Sequence, residues 1–147
     1  MSEQSKRLVC DITEQIWNQR RLHLIPEFYA EDYLVDYRPY APLRHGHNAI
    51  RGMVERAWAA FPDYHEHLHE LIADSDIVVA RLTISGTQHG QWGVVPPTGR
   101  HVEFEEMVMV KIRDGKVAWQ RGIADNLSAL RQLGVLRPAP KQSGENL

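Results

Sequence analysis

The spacing of the apolar residues changes near the middle of this chain, and that change restricts the folds open to it. In residues 48–61 they fall three or four positions apart, as on one face of a helix: Ile50, Met53, Val54, Ala57, Trp58 and Phe61. Beyond Pro62, apolar and polar residues alternate as in β-strands over four segments: 64–73, 76–89, 101–113 and 116–124. Helices followed by strands predict an α+β fold, with helices on one face of a curved, mostly antiparallel sheet that encloses a pocket.

Shorter signals assign the rest of the chain. Three further helices are predicted: residues 5–21, 22–29 and 126–133. Gly134 is expected to end the last of them, because glycine readily adopts the left-handed conformation that closes a helix. Residues 31–47, with several tyrosines and prolines, are predicted to be a loop. We expect a single domain over residues 1–136 and a flexible tail over residues 137–147, which are polar and contain two prolines.

Composition narrows the possible functions. The 147 residues include 17 basic and 19 acidic side chains, so the formal charge is −2. A protein that binds nucleic acid through phosphates needs a basic surface, so this composition argues against a general nucleic-acid-binding protein. There is no run of about 18 apolar residues, so no membrane-spanning helix is expected, and the polar start does not resemble a secretory signal. Cys10 is the single cysteine, which excludes an internal disulfide and a cysteine-rich zinc site. These features favour a cytoplasmic protein with no nucleic-acid or membrane partner.

The turn sequence Asp114-Gly115 predicts which side chains share the pocket. A two-residue turn there pairs Arg113 with Lys116 and sets the register of both strands. In that register one face combines polar groups with apolar ones: Asp125, Arg121, Trp119 and Glu106 among Ile123, Phe104, Val108 and Val110. Carboxylates and a guanidinium in an apolar wall are typical of a reactive pocket. Two structural alternatives stay open: a Glu106–Arg121 ion pair, and Asp125 as the cap of the next helix.

A second hairpin, around Asp74-Ser75, carries three histidines at alternate positions. Pairing Ala73 with Asp76 places them on one face with Ile84, Leu82 and Ala80: His65, His67 and His69. Glutamates of the opposite face would then form a ladder with Arg81. Two such imidazoles can bind one metal if another ligand is near. Because no carboxylate is placed with them, we expect surface or subunit-interface histidines and no metal site.

Residues 90–99 connect two predicted strands through a long loop rich in glycine and proline. Such a loop can close over a pocket, with His89 at its mouth and Trp92 as an apolar lid, although an ordinary hairpin loop is the alternative. The chain has no nucleophile elbow, phosphate-binding loop, dinucleotide fingerprint or HExxH motif, so no cofactor is expected.

Five short motifs together resemble one family: AFPD at 60–63, GT at 86–87, PPTG at 96–99, DGK at 114–116 and QLG at 132–134. Over residues 8–136 the chain is similar to the SnoaL-like polyketide cyclases, or ester cyclases, of the nuclear-transport-factor-two-like superfamily that includes ketosteroid isomerase. The resemblance implies an α+β cone, usually dimeric, with a deep apolar cavity and no cofactor. It also implies intramolecular aldol condensation, with Asp125 matching the acid/base aspartate at the end of the last strand.

These observations lead to one main hypothesis, a cofactor-independent acid/base enzyme acting on a small carbonyl compound. Asp125 would remove a proton next to the carbonyl, while Arg121, helped by His89 or a tyrosine of residues 33–40, would stabilise the enolate. Glu106 is the second carboxylate of this candidate site. The residues predicted to contact substrate are Trp119, Phe104, Val108, Tyr37, Trp58 and Trp92.

Two alternatives stay open because a fold does not determine a function. One is a binding module without turnover. The other is a hydrolase or cofactorless oxygenase, in which water would be held between Asp125 and Glu106 or His89. The strands at residues 78–84 and 102–112 have apolar residues on both faces, so we also expect a homodimer in which sheet faces pack together.

Overall fold

The computed structural model of the protein describes residues 2–136, and the tail predicted for residues 137–147 lies outside the described residues. The helices are α1 (Ser2–Asp11), its π-helical continuation (Ile12–Asn18), a 3₁₀ turn (Leu22–Leu24), α2 (Ile25–Phe28), α3 (His47–Ala60) and α4 (Asn126–Gln132). Helix α3 buries Ile50 and Val54 and ends shortly before Pro62, consistent with the helical spacing in the sequence. Among residues 2–136 no helix is both long and apolar enough to cross a membrane.

One six-stranded sheet forms the other layer. Its strands are β1 (Tyr29–Val35), β2 (Arg44–His45), β3 (His65–Asp74), β4 (Ile77–Thr87), β5 (His101–Arg113) and β6 (Lys116–Ala124). They lie in the order β2-β1-β6-β5-β4-β3. Strand β1 runs parallel to β6, and all the other neighbours are antiparallel. The predicted α+β architecture with a mostly antiparallel sheet is therefore confirmed.

The loop predicted for residues 31–47 is wrong in part, because it contains most of β1 and all of β2. Tyr33 and Val35 point inward and are buried, but the consecutive exposed residues Glu31 and Asp32 interrupt the alternation that would have identified a strand. The partner of β1 is β6, far along the chain, and local sequence signals do not report such a pairing.

A bulge in β6 changes the predicted register. The turn at Asp114-Gly115 pairs Arg113 with Lys116 as expected, but beyond Val117 the register shifts by one residue, and Trp119 pairs with Lys111. Because side chains alternate between the two faces, one extra residue moves every later side chain of β6 to the other face. The predicted common face of Asp125, Arg121, Trp119 and Glu106 is therefore wrong: Glu106 points inward, whereas Trp119 and Arg121 belong to the outer face.

The β3–β4 hairpin departs from its prediction in a similar way. Asp74 pairs with Ile77, and a second register shift near His69 places Glu66 opposite Ile84. The predicted common face of the histidines with Ile84, Leu82 and Ala80 is therefore wrong, since Glu66 is the buried residue opposite Ile84 and all three histidines are exposed. On the outer face, Arg81 forms the expected glutamate ladder, with Glu70 at 2.8 Å and Glu105 at 2.6 Å.

The core lies between the helices and the inner face of the sheet, in two clusters. One joins the helical layer to strands β1, β4, β5 and β6 through residues such as Ile16, Ile25, Tyr33, Ile50 and Val78. The other joins the end of α3 and helix α4 to β4 and β5, through residues such as Phe61, Ile84, Val102, Phe104 and Leu133. The curved sheet does not close completely onto the helices, and the remaining space is a cavity.

Candidate functional site

The cavity has a volume of about 880 Å³ and is enclosed by the inner face of the sheet and by helices α1 and α3. That volume is in the range of small-molecule sites, and its wall is mainly apolar. Four residues predicted to contact substrate line it: Phe104, Val108, Tyr37 and Trp92. Two others do not, because Trp58 packs against Trp17 and Arg20, and Trp119 lies on the outer face beside Lys111.

Glu106 is the polar residue of β5 that faces this cavity. It is partly buried, and the Tyr37 hydroxyl donates a hydrogen bond to its Oε1 at 3.4 Å. Burial raises the pKa of Glu106 to about 7, although the hydrogen bond from Tyr37 opposes that shift. The carboxyl group can therefore both accept and release a proton near neutral pH.

A chain of hydrogen bonds orients Tyr37 toward Glu106. The hydroxyl of buried Tyr33 donates to Gln120 Oε1 at 2.8 Å, and Gln120 Nε2 donates to the Tyr37 oxygen at 3.1 Å. Because the Tyr37 oxygen accepts from Gln120, its own proton is available for Glu106. Gln120 faces inward only because of the bulge in β6, so the predicted register hid this network.

Gly122 makes room for Tyr37. A Cβ atom at residue 122 would lie 2.6 Å from the Tyr37 hydroxyl oxygen and 3.0 Å from two ring carbons. The tyrosine therefore approaches the backbone of β6 at a distance that only glycine allows.

Glu66 is a second buried carboxyl group in the same cavity. The Tyr64 hydroxyl donates to its Oε1 at 2.6 Å, and its backbone is fixed by two hydrogen bonds with the Asn18 side chain. Burial raises the pKa of Glu66 to about 8, with a further contribution from the charge of Glu106, against the opposing effect of Tyr64. Glu66 was not among the residues predicted for the site. Residues two apart in a strand share a face, so the correct register would have placed Glu66 on the inner face with Leu68.

Each of the two carboxyl groups has one oxygen available to a ligand. In both Glu66 and Glu106, Oε1 accepts a hydrogen bond from another side chain, whereas Oε2 accepts none from residues 2–136. No fully buried side-chain nitrogen or oxygen in this part of the chain lacks a partner, so the two remaining oxygens are accessible. Since both residues line the cavity, these oxygens are the carboxyl atoms left free to bind a ligand there.

Arg121 has a different position from the one predicted. Its guanidinium donates to the carbonyl oxygens of Asp36 and Arg38 at 3.2 and 3.0 Å, and it pairs with the Asp36 carboxylate at 3.4 Å. The possible ion pair with Glu106 is therefore wrong. Arg121 instead holds the segment after β1 against β6, at the edge of the cavity.

Asp125 and His89 lie outside the cavity lining. Asp125 is exposed and accepts a hydrogen bond from the Ser128 backbone N–H at 3.0 Å, so the helix-cap alternative describes its contacts. His89 is exposed, and its backbone N–H donates to the Ala60 carbonyl. Asp125 and Glu106 do line a second, smaller pocket together, whereas His89 lines neither pocket.

The long loop after β4 is held by a residue that the sequence analysis left without a role. The side chain of buried Gln88 donates to the carbonyls of Val95 and Pro96 and accepts from the backbone and hydroxyl of Thr98. Fixed in this way, the loop places Trp92 in the cavity wall, where its ring contacts Phe61 and Phe104 at centroid distances of 5.5 and 6.0 Å.

The three histidines of β3 do not form a metal site. His69 bonds the Thr83 hydroxyl at 2.6 Å, and the rings of His67 and His69 pack edge to face. Across residues 2–136, no group of three or more histidine, cysteine, aspartate or glutamate side chains has the geometry to hold a metal ion.

Comparison with known proteins identifies the family of this chain. The model of the SnoaL-like polyketide cyclase family matches residues 7–133. Aklanonic acid methyl ester cyclase DauD of Streptomyces sp. (strain C5) is 28% identical over 130 residues, which are 86% of this chain and 80% of DauD.

Two solved structures have the same fold. IdmH of Streptomyces antibioticus is 25% identical, with a TM-score of 0.78 over 88% of this chain and 98% of IdmH. TsrD of Streptomyces laurentii is 24% identical, with a TM-score of 0.83 over 92% of this chain and 98% of TsrD. The nuclear-transport-factor-two-like fold expected from the resemblance is confirmed.

Proposed function

Because this chain belongs to the family of SnoaL-like polyketide cyclases, we propose that it is a cofactor-independent enzyme that closes a ring in an enolisable carbonyl compound by intramolecular aldol condensation. DauD is named for the cyclisation of aklanonic acid methyl ester, and we extend the reaction class, not the individual substrate, to this chain. The observation on which the proposal rests is Glu106, a carboxyl group inside an apolar cavity at the end of a directed hydrogen-bond chain.

Glu106 is the acid/base group in this proposal. Its ionised oxygen removes a proton from the carbon next to a substrate carbonyl, and the electron pair moves onto the carbonyl oxygen to give an enolate. A pKa of about 7 suits this step, because a general base works best when its pKa is near the working pH. Asp125, to which the family resemblance gave this role, does not line the large cavity, and its carboxylate caps α4 at the Ser128 backbone N–H.

Glu66 stabilises the enolate. With a pKa of about 8 this group is mostly protonated at neutral pH, and the Tyr64 hydrogen bond occupies its Oε1. The proton on the other oxygen can therefore be donated to the developing oxyanion in a site of low dielectric. Two carboxyl groups with different pKa values thus divide the roles of base and acid, a common arrangement in acid/base enzymes.

Ring closure needs no other reactant. The enolate carbon attacks a second carbonyl of the same molecule, forming a carbon–carbon bond, and the new alkoxide takes the proton held by Glu106. The product is an isomer of the substrate, and the enzyme returns to its initial protonation state.

Mass spectrometry distinguishes this reaction from the alternatives. We would incubate the protein with aklanonic acid methyl ester and with simpler methyl esters that contain two carbonyl groups. The proposal expects a cyclic product of unchanged mass. An acid lighter than the ester by one CH2 group, formed together with methanol, would support a hydrolase, and a product heavier by oxygen atoms an oxygenase. Saturable binding with no product from any of these compounds would favour a binding module.

We also propose that the chain forms a homodimer through the outer face of its sheet. Met107, Met109 and Ile123 are exposed together on β5 and β6, and such an apolar surface is commonly covered by a partner. Light scattering should give twice the mass of one chain for the wild type and a smaller mass for Ile123→Asp. A wild-type monomer at micromolar concentration would refute the dimer.

A further inference from the structure

The wall of the cavity contains four arginines and no lysine: Arg38, Arg44, Arg56 and Arg121. We call these residues the arginine rim, because they line the cavity and remain partly exposed to solvent. Two of them share one partner, since Asp36 pairs with Arg38 at 2.9 Å and with Arg121 at 3.4 Å. Their charge is therefore partly neutralised within the protein.

Arg44 and Arg56 differ from the other two. Among residues 2–136, the arginines that form ion pairs are Arg38, Arg81, Arg113 and Arg121, so no carboxylate in this part of the chain pairs with Arg44 or Arg56. Arg44 and Arg56 line the same cavity, and burial together with the charge of Arg44 lowers the pKa of Arg56. Two neighbouring cations without a carboxylate repel each other, and an anion between them removes that repulsion.

The position of Arg56 follows from the shape of α3. Its guanidinium folds back over Gly52, one helical turn earlier, and comes within 2.9 Å of the point that a Cβ atom of residue 52 would occupy. Gly52 therefore leaves room for the guanidinium of Arg56 beside α3. That helix begins at His47, shortly after Arg44 in β2.

The charge of the cavity is consequently divided. Its interior has the carboxyl groups of Glu66 and Glu106, and its rim has the arginines, although the whole chain has a formal charge of −2. An anionic group is attracted to the rim and disfavoured beside the interior carboxylates, so one orientation of a ligand is selected.

We propose that Arg44 and Arg56 form an anion-binding subsite that holds the carboxylate of a mostly apolar substrate and directs its carbonyl end toward Glu106. This inference rests on the proposed function, because it names the substrate class of the same cavity. It predicts that the natural substrate is a free acid at the end that remains near solvent. Planar guanidinium groups suit this task, since they bind a carboxylate through two parallel hydrogen bonds.

Binding of a fluorescent probe tests the subsite without any turnover. Pyrenebutyric acid, ionised at about pH 7.5, and its neutral methyl ester would be titrated against wild-type protein, Arg44→Gln, Arg56→Gln and Arg81→Gln. The last variant is the matched control, because Arg81 loses the same charge on the outer face of the sheet. Losing a charge-assisted hydrogen bond should weaken binding of the acid about tenfold or more in each rim variant. The ester should bind all four proteins equally.

Three results would overturn the subsite. They are equal binding of the acid by wild type and both rim variants, an equal loss for acid and ester, and an equal loss in Arg81→Gln. The result also separates the two proposals. If the ester binds and neither Arg44→Gln nor Arg56→Gln weakens binding of the acid, only the subsite is refuted. If both variants weaken binding of the acid but the mass assay finds no cyclic product, only the proposed reaction is refuted.

Discussion

Glu105 and Glu106 are neighbours in β5 with the same side chain, and they have opposite environments. Glu105 lies on the outer face, where 58% of its side chain is exposed and Arg81 binds it at 2.6 Å. Glu106 lies on the inner face and lines the cavity, where the Tyr37 hydroxyl is its hydrogen-bond donor among residues 2–136. The alternation of side chains along one strand is the whole cause of this difference.

Placing Glu106 on the inner face costs folding free energy when its carboxyl group is ionised, whereas Glu105 on the outer face has no such cost. An exposed ion pair such as Glu105–Arg81 contributes at most about 1 kcal/mol to stability. Removing a carboxyl group from water, with no cation beside it, makes its ionised form less stable. Burial therefore raises the pKa of Glu106 to about 7. The same cost makes Glu106 able to exchange protons near neutral pH.

The largest expected effect separates the two glutamates directly. Glu106→Gln should reduce turnover about 10²–10⁴-fold, the usual contribution of a general acid/base group, which is roughly 3–5 kcal/mol of barrier. Glu105→Gln should keep most of the wild-type turnover. The measurement is the rate of ring closure on any substrate found in the mass assay. If Glu106→Gln kept more than about a tenth of the activity, the acid/base assignment would be wrong.

Glu66 should reveal the cost of inner-face burial as a pH-dependent stability. Its pKa rises from 4.5 to about 8 on folding, so its favourable contribution is complete below about pH 4.5 and is lost as the pH rises through 8. Glu66→Gln removes this loss and still accepts the Tyr64 hydrogen bond. The variant should gain about 3–5 kcal/mol over wild type between about pH 4.5 and pH 9.

Urea denaturation at both pH values measures that gain, and Glu105→Gln is the outer-face control. A constant difference between Glu66→Gln and wild type across this range would show that Glu66 does not hold its proton in the folded protein.

Gly122→Ala tests the hydrogen-bond chain of the inner face. The added Cβ would meet the Tyr37 hydroxyl and force the ring away from Glu106. Overpacking of this kind costs about 1–3 kcal/mol of stability. Since the lost Tyr37 hydrogen bond normally lowers the pKa of Glu106, the acid limb of the pH–rate profile should move to higher pH. A lower rate with an unmoved limb would mean that Tyr37 has only a structural role.

The smallest effect is expected at Asp125. Asp125→Ala should cost about 1 kcal/mol, because the Ser128 N–H loses its cap, whereas Asp125→Asn should cost a few tenths. Thermal melts give both values, and both variants should keep the turnover of the wild type. If Asp125→Asn instead abolished ring closure, the role implied by the family resemblance would stand and the assignment to Glu106 would fall.

The amino-acid sequence alone determined the α+β class, the long strands of the sheet, the turn at Asp114-Gly115 and the presence of a cavity lined by Tyr37, Phe104, Val108 and Trp92. These features depend on spacing and turn chemistry within a few residues, which a single sequence records directly. The family resemblance follows from the same kind of local motif.

Only the tertiary structure decided which side chains enter the cavity. One extra residue in β6 and a register shift near His69 in β3 placed Gln120, Gly122 and Glu66 inside, and left Arg121 on the outer face. Strand β1 likewise became a strand through its pairing with β6. The side-chain period of a strand is two residues, so a single bulge exchanges its faces. Bulges are selected by packing across the whole sheet, and no local pattern in the sequence records that packing.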